Sequence, residues 1–350
     1  MENPLKIISN LFKKEKKNIG KGRVRSSSLN FLYNRMQVEN DRKKLYEECF
    51  TMYKDDSRIS AALDTTAGSA TNGAFTIKFN NTSNVPKNVL EDAEKIIETT
   101  NYRTKIKENI LNIAKEFLIL GDIFLEVVID FENNEIANLK KLPAKSIERI
   151  EDDYGRLIKF VQKDSIGRII TEFEPWQILH MRYNHFSGNL YGVSIIRGVI
   201  SAYKKLKMAE EDLVIRRRTR AGLKLHHYGS SPEEPLEEDE VDAYMEMNNS
   251  TPMNVRTDFY SNGKWKIDVL KSDDGVSQID DIKHLENALF VGLRTPKGLL
   301  GVGEETNKAT LERQEVAYIR LLNEITGEIS EQLKQVYNLA LKIKGLNPAN

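Results

Sequence analysis

The sequence predicts an α+β protein in which helical segments flank a β-rich middle region. Apolar residues recur at helical spacing over residues 40–70 and 89–120, whereas short β-branched runs separated by turn residues fill residues 123–173. An apolar stripe over residues 307–344 predicts one long final helix. A chain of 350 residues is long enough for two or three compact units of about 100–200 residues each.

The charge balance argues against a general affinity for nucleic acid. The chain carries 52 basic and 52 acidic residues, so its formal net charge is zero and any basic surface must be local. Its one cysteine, Cys49, has no intrachain partner, and no ladder of cysteine and histidine indicates a structural zinc site. These features fit a protein of a reducing compartment.

Residues 1–40 are predicted to form a mobile, basic N-terminal arm. Apolar residues at positions 5–12 precede a run of lysines at 13–17, which reverses the order of a signal peptide and indicates a short amphipathic helix with a basic tail. The apolar stretch at 117–128 is broken by charged residues and is shorter than the about 20 residues that a membrane-spanning helix needs. The sequence therefore predicts no membrane span.

The first predicted elements are helices with one strand between them. A polar turn at 54–57 interrupts the first helical segment, and Gly68 and Gly73 end it. Apolar and polar residues then alternate over residues 75–79, which predicts a half-buried strand. Two helices follow, split near Asn101 and ended by glycine.

Short strands and turns make up the middle of the chain. Proline, asparagine and glycine separate the runs, and each run is rich in β-branched residues. The predicted strands are residues 123–131, 136–142, 147–151, 157–162 and 169–173, with a buried turn and strand at 176–181.

A long helix is predicted from Ser194, a candidate N-cap, to about Ala221. Its last turn carries an arginine cluster, Arg216, Arg217, Arg218 and Arg220. Two explanations fit this cluster: a contact with nucleic acid, or a solvated helix end that pairs with the acidic stretch following it, within one subunit or between subunits. Pairing or solvation is the commoner outcome for such a run of charge.

The segments after residue 232 have the patterns of exposed or amphipathic elements. The acidic stretch at 233–245 predicts a short exposed helix, and two strands at 255–260 and 265–270 predict a hairpin. A helix at 278–293 and a glycine-rich turn at 295–303 lead to the final helix.

No set of residues has the pattern of a catalytic or metal site. The adjacent His226 and His227 point to opposite faces of an extended segment, so they do not form a pair of metal ligands. Asp280 and Asp281 are explained by the preference of a helix N-terminus for acidic residues. The glycines after residue 297 lack the Gly-Lys-Ser/Thr triplet of a phosphate loop. We therefore predict no enzyme, no cofactor and no bound metal.

Five phrases follow one another in a fixed order after residue 120. They are a Gly-Asp strand at 121–126, Leu-x-x-Leu-Pro at 139–143, Phe-x-Pro-x-x-Ile-x-His at 173–180, Tyr-Gly-Val-Ser at 191–194 and Pro-x-x-Leu-Leu-Gly at 296–301. Together with the helices around them, these phrases resemble the core of the tailed-bacteriophage portal proteins, the ring subunits of the head-tail connector.

The resemblance covers about residues 45–343 and implies a portal-like fold with a β-rich wing, two stem helices, a small α/β clip and a long C-terminal helix. The implied divisions are an arm at 1–40, the wing at 41–193, stem helices at 194–221 and 277–294, the clip at 222–276, a tunnel loop at 295–308 and a spine helix at 309–350 with a minimal or truncated crown.

The resemblance also implies partners and site residues. A portal forms a ring, commonly of twelve copies, at one capsid vertex, where it contacts double-stranded DNA, the terminase large subunit, the head-tail adaptor and the major capsid protein or scaffold. It resides in the virion, and in the host cytoplasm during assembly. The implied tunnel-loop residues nearest DNA are Lys297, Gly298, Gly301, Gly303 and Lys308. The implied clip or subunit contacts are Arg216, Arg217, Arg218, Arg220, Glu237 and Glu238.

Two functions of other classes remain as alternatives. A metal-dependent nuclease would use Asp280, Asp281 and His284. A peripheral scaffold would bind a membrane or partner through the amphipathic residues 1–25.

Overall fold

A computed structural model of the chain describes residues 28–72, 75–79, 85–152, 154–186, 189–220, 226–228, 237–249, 259–261, 277–301 and 308–347. The chain divides into two compact units. The first unit consists of residues 1–199 and 290–350, and the second unit consists of residues 200–289. Among the described residues, no helix is both long and apolar enough to cross a membrane.

Four helices open the first unit: α1 (Ser28–Asp55), α2 (Ser57–Thr71), α3 (Lys87–Thr104) and α4 (Ile106–Leu120). The predicted break at 54–57 is confirmed, because the Asp56 carboxylate accepts a hydrogen bond from the backbone N–H of Arg58 at 2.9 Å and caps α2. The first helix begins at Ser28, so part of the predicted arm is helical. The second helix continues through Gly68, where space is open, instead of ending there.

The third and fourth helices separate at Lys105, close to the predicted split. Lys105 has φ 49° and donates its backbone N–H to Asn101. Gly121 ends α4 with φ 82°, a left-handed conformation that glycine adopts without steric cost. Both predicted boundaries are confirmed to within a few residues.

Two three-stranded antiparallel sheets follow, in the strand orders β2-β1-β6 and β3-β4-β5. The strands match the predicted ones closely: β1 (Asp122–Asp130), β2 (Glu135–Leu142), β3 (Ile147–Glu151), β4 (Leu157–Lys163), β5 (Ile169–Phe173) and β6 (Ile178–Arg182). Tyr46 of α1 packs with Phe124, Phe160 and Phe173 in one apolar core, so the first helix and both sheets fold around the same cluster.

The predicted strand at residues 75–79 is wrong. This segment is extended but joins no ladder among the described residues. Its alternating side chains instead line a groove of about 780 Å³ together with residues of α3 and the final helix. The alternation of apolar and polar residues correctly predicted a buried face. A strand also needs the edge of another strand to pair with, and the helices beside this segment supply none.

A 3-10 helix at Ile195–Val199 precedes α5 (Ile200–Arg220), so the predicted long helix begins with a tighter turn. Ser194 caps this turn as predicted: its hydroxyl accepts a hydrogen bond from the backbone N–H of Ile196 at 3.0 Å.

The second unit contains α5, β7 (His226–Tyr228), α6 (Glu238–Asn249), β8 (Phe259–Ser261) and most of α7 (Ser277–Gly292). The strands β7 and β8 pair in parallel. The second strand of the predicted hairpin, residues 265–270, lies outside the described residues, as do Gly73 and Gly303.

A 3-10 turn at Lys297–Leu300 and the final helix α8 (Lys308–Ile343) complete the first unit. The helix has 36 residues and buries one stripe, as its period predicts. The buried stripe consists of Tyr318, Leu321, Ile325, Ile329, Leu333, Val336, Tyr337, Leu339, Ala340 and Leu341.

Candidate functional site

The predicted tunnel loop lies in the first unit and starts from a buried base. Thr295 is buried, and its hydroxyl lies 3.1 Å from that of Thr66 on α2. The Tyr318 hydroxyl on α8 donates a hydrogen bond to Thr66 at 3.4 Å. Because three elements share these bonds, the start of the loop is held in place by the core.

The residue before this base turns the chain away from the core. Arg294 has φ 58° and pairs with Glu324 of α8, with 3.1 Å between the guanidinium and carboxylate. Burial alone would lower the pKa of Arg294, but hydrogen bonds from its guanidinium to Glu324 and Tyr183 raise it. The arginine thus fixes the turn from a partly exposed position.

The described part of the loop is a 3-10 turn between Pro296 and Gly301. Gly301 has φ 72° and ends the turn. The Lys297 ammonium lies 5.2 Å from the centre of the Phe290 ring, a distance at which the ring face attracts a cation. Of the other predicted loop residues, Gly298 is exposed in the turn and Lys308 is the first residue of α8.

The predicted clip contacts all belong to the second unit. Arg216 and Arg217 lie exposed near the end of α5, and Arg218 and Arg220 belong to its last turn. Glu237 and Glu238 are exposed at the start of α6, where the backbone N–H of Glu237 donates to the Glu240 carboxylate at 3.4 Å. This contact is typical of a capped helix start.

A buried polar cluster is the feature whose role the sequence did not indicate. We call it the junction cluster and define it as Arg42, Tyr46, Asp122, His180 and Gly192. Its members come from α1, β1, β6 and the turn before the 3-10 helix at 195–199. Three phrases that carry the portal resemblance, at 121–126, 173–180 and 191–194, meet here.

Asp122 is the centre of the junction cluster. One carboxylate oxygen accepts hydrogen bonds from His180 at 2.8 Å and from the backbone N–H of Gly192 at 2.9 Å. The other accepts the Tyr46 hydroxyl at 2.5 Å. The side chain is 0% exposed, so these bonds replace the water that a buried carboxylate loses.

His180 is neutral in this setting. Burial lowers the pKa of His180, and it does so against the opposing effect of the Asp122 hydrogen bond. Its Nδ1 faces the Arg149 guanidinium at 3.5 Å, so Nδ1 accepts and Nε2 donates to Asp122. The ring stacks on Phe124 with 4.1 Å between centroids.

Arg42 joins the first helix to the β-rich region. Its guanidinium donates to the backbone carbonyls of Ala144 at 2.9 Å and Ile147 at 3.0 Å. It also lies 4.0 Å from the centre of the Tyr191 ring. A buried arginine with these partners holds strand ends together, which is a structural function.

Gly192 allows the two backbones of the junction to approach. A Cβ atom at this position would lie 2.1 Å from the Gly121 carbonyl oxygen and 2.7 Å from the Tyr183 nitrogen. The chain closes this contact with hydrogen bonds from Tyr183 to Gly121 at 2.8 Å and from Val193 to Tyr183 at 2.7 Å. Only glycine fits here.

The geometry of the junction cluster favours structure over chemistry. The side chains of His180 and Asp122 are 3% and 0% exposed, and aromatic rings surround the imidazole. The described residues therefore enclose the His–Asp pair. Among the described residues, no group of three histidine, cysteine or acidic side chains could hold a metal ion, and the candidates Asp280, Asp281 and His284 belong to that part of the chain.

The chain matches one family model over part of its length, and it shares its fold with solved structures. Residues 240–350 match the family model described as Bacteriophage T4-like portal protein (Gp20). No curated protein matches the chain.

Solved structures with a similar fold come from gene transfer agent (GTA) particles. A chain in the neck of a native GTA particle, computed with C12 symmetry, is 15% identical with a TM-score of 0.54 and covers 85% of this chain and 81% of its own length. A chain in the neck of an empty GTA particle, computed with C6 symmetry, is 14% identical with a TM-score of 0.56 and covers 85% of this chain and 86% of its own. A chain in the virion of a native GTA particle is 16% identical with a TM-score of 0.51, over 83% and 82% of the two chains. The family model and the shared fold together confirm the resemblance to the tailed-phage portal proteins.

Proposed function

We propose that this chain is the subunit of a ring at one capsid vertex, and that double-stranded DNA is packaged and ejected through the ring. The observation that carries the proposal is the fold, shared over 85% of the chain with a neck subunit whose particle was computed with C12 symmetry. The portal family model over residues 240–350 supports the same function from sequence.

The charge of the chain suits a channel that lets DNA pass. Each DNA phosphate that a protein neutralises strengthens binding, and it steepens the fall of log K with log salt concentration by about 0.9. A strongly basic lining would therefore hold the duplex in place. The chain has no net charge. The Lys297 ammonium lies over the ring of Phe290. It would therefore offer the DNA backbone only a weak contact, and a contact with phosphate does not depend on base sequence.

The loop at 295–308 is the proposed DNA contact. Its start is fixed by the buried hydroxyls of Thr66 and Thr295, and Gly298 and Gly301 give the following turn backbone freedom. The fixed base would keep the loop in position in the ring, while Gly298 and Gly301 would let the turn adjust to the duplex.

The second unit is the proposed docking surface for packaging and neck proteins. The exposed charges at the end of α5 and the start of α6, including Arg216, Arg217, Glu237 and Glu238, offer both signs of charge to a partner. The terminase large subunit and the head-tail adaptor would bind here in turn, and the wing would face the capsid protein or scaffold. The protein would act in the virion, after assembly in the host cytoplasm.

The experiment that tests the DNA contact replaces residues 298–303 by a rigid segment of equal length in particles that package DNA. We expect DNA packaging or retention to fall, because the loop could no longer follow the duplex. As a control, a rigid replacement of the exposed turn 131–134, between β1 and β2, should leave both unchanged. Unchanged packaging and retention in both variants would show that the loop does not contact DNA.

A further inference from the structure

We propose that neighbouring copies of this chain join by strand addition, with residues 75–79 of one copy adding to the outer edge of β5 in the next. The inference rests on the proposed ring and names a contact that closes it. A ring of identical subunits needs two different surfaces on each copy that fit each other, because the contact is head-to-tail.

The acceptor is the outer strand of the β3-β4-β5 sheet. β5 pairs with β4 on one side, and no strand among the described residues pairs with its other side. Four of its five residues are exposed, among them Ile169 at 57% and Ile170 at 60%. Protein edges of this kind are usually protected by charge, proline or short length, so an apolar exposed edge indicates a site for an added strand.

The donor is the segment at 75–79, which is extended but has no ladder. Phe75, Ile77 and Phe79 are half-buried and line the groove against α3 and α8, while Thr76 and Lys78 are exposed. The Phe75 ring lies 6.3 Å from that of Tyr337 on α8. Its side chains are therefore held by the helices.

The backbone of this segment has no such support. No backbone hydrogen bond joins residues 75–79 to another part of the described chain. An added strand would satisfy these N–H and C=O groups and those on the outer side of β5 at once, which is how strand addition gains affinity.

Length and side-chain order fit the two segments to each other. Both segments have five residues. Residues 171–173 of β5 pair regularly with β4, and a bulge interrupts the register at Ile170. In an antiparallel alignment with Ile77 opposite Thr171, Phe75 falls opposite Phe173, which is buried in the core of its own sheet. Phe75 and Ile77 then share a face with Thr171 and Phe173, whereas Thr76 and Glu172 lie on the other face.

The opposite face matches by charge. Thr76 falls opposite Glu172 in this alignment, and Lys78 falls diagonal to it, within reach of a long side chain. The Glu172 carboxylate accepts a bond from Lys159 of its own sheet at 2.7 Å and remains 49% exposed. A second copy of the chain is the fitting occupant, because every copy supplies one donor and one acceptor.

Disulfide trapping tests the contact in the full chain. The double variant Ile77→Cys/Thr171→Cys places two thiols opposite each other only if strands from different copies pair. After mild oxidation we expect a ladder of covalent multimers on a non-reducing gel. The matched control, Thr76→Cys/Thr171→Cys, places the thiols on opposite faces and should give no ladder. Native Cys49 is buried and is present in both variants.

A surface variant tests the same contact without touching the groove. Ile170→Lys changes an exposed side chain on the proposed edge and should raise the concentration needed for assembly at least tenfold. Ile158→Lys, at a 49% exposed position on the central strand β4, is the control and should leave assembly unchanged.

The outcomes separate this inference from the proposed function. Rings in the electron microscope together with a ladder support both. Rings that form without a ladder, or with Ile170→Lys assembling like the parent chain, overturn the strand addition and leave the ring function intact. A chain that forms no ring at any concentration contradicts both.

Discussion

Single residues of the junction cluster decide whether α1 and the two sheets hold together. Asp122 accepts bonds from three elements, and Gly192 lets the turn before the 3-10 helix at 195–199 approach β1. The Asp122 side chain is 0% exposed and Gly192 is packed against backbone, so changes at either position should affect folding stability first and assembly only as a consequence.

Gly192→Ala should lower the free energy of unfolding by about 3 kcal/mol, because its Cβ would overlap the Gly121 carbonyl oxygen at 2.1 Å and backbone must move. The control is Gly198→Ala, where a Cβ meets nothing within 4 Å. Urea denaturation followed by circular dichroism at equal protein concentration measures both. Equal midpoints for the two variants would contradict the close approach.

Asp122→Ala should cost about 3–5 kcal/mol, since it leaves His180, Tyr46 and the Gly192 N–H without their buried acceptor. Asp92→Ala provides the control, because Asp92 is 64% exposed and pairs with Lys95 at the surface. That change should stay within about 0.5 kcal/mol. A small effect of Asp122→Ala in the same denaturation assay would show that the cluster carries little stability.

Acidification should destabilise the fold through His180. The folded pKa of His180 lies below its ordinary value of 6.5, because burial disfavours the charged imidazole. The unfolded chain therefore binds the proton more readily, so the contribution of neutral His180 is complete above about pH 6.5 and is lost as the pH falls below it. The charges facing this ring are Asp122, Arg149 and Arg182.

The measurement is the free energy of unfolding between pH 8 and 5 for the parent chain and for His180→Gln. The variant should show a shallower loss on acidification. His185→Gln, at an exposed position, should keep the slope of the parent chain. Identical slopes for the parent chain and His180→Gln would contradict a buried neutral histidine.

At the scale of elements, most boundaries of helices and strands could be predicted from the sequence. The strand predicted at residues 75–79 does not form. The period of the apolar residues and the turn residues predicted most helix ends of the first unit, six strands and the last helix to within a few positions. The start of α1 is the exception, because it lies at Ser28, well before the predicted start near Asn40. The segment at 75–79 has the alternation of a strand, yet strand formation depends on a neighbouring edge that lies far away in sequence. The role of Asp122 was missed for a similar reason: its partners lie 58 and 76 positions away.

The base of the loop gives an element-scale prediction. Thr66→Val removes the hydroxyl that joins α2 to Thr295 and Tyr318, and we expect a loss of about 1–3 kcal/mol from polar groups left without a partner. Thr99→Val is the control, because that hydroxyl bonds only a carbonyl of its own helix. Thermal unfolding compares them, and equal midpoints would show that the loop base is not held by these bonds.

At the scale of the whole molecule, the chain shares its fold with chains of neck and virion particles. A single copy leaves apolar strand residues and a stretch of extended backbone uncovered, and the similar chains come from neck and virion particles. The sequence points to the proposed ring only through its resemblance to a family, because a helical or strand period reports one chain's own core and not the surface that faces a neighbour.

The most direct test of this account is the mass and shape of the purified full chain. Native mass spectrometry and negative-stain electron microscopy should show one closed ring with a central opening, at about twelve times the subunit mass of 40.1 kDa. A single species at 40.1 kDa across all concentrations, with no ring in the images, would contradict it.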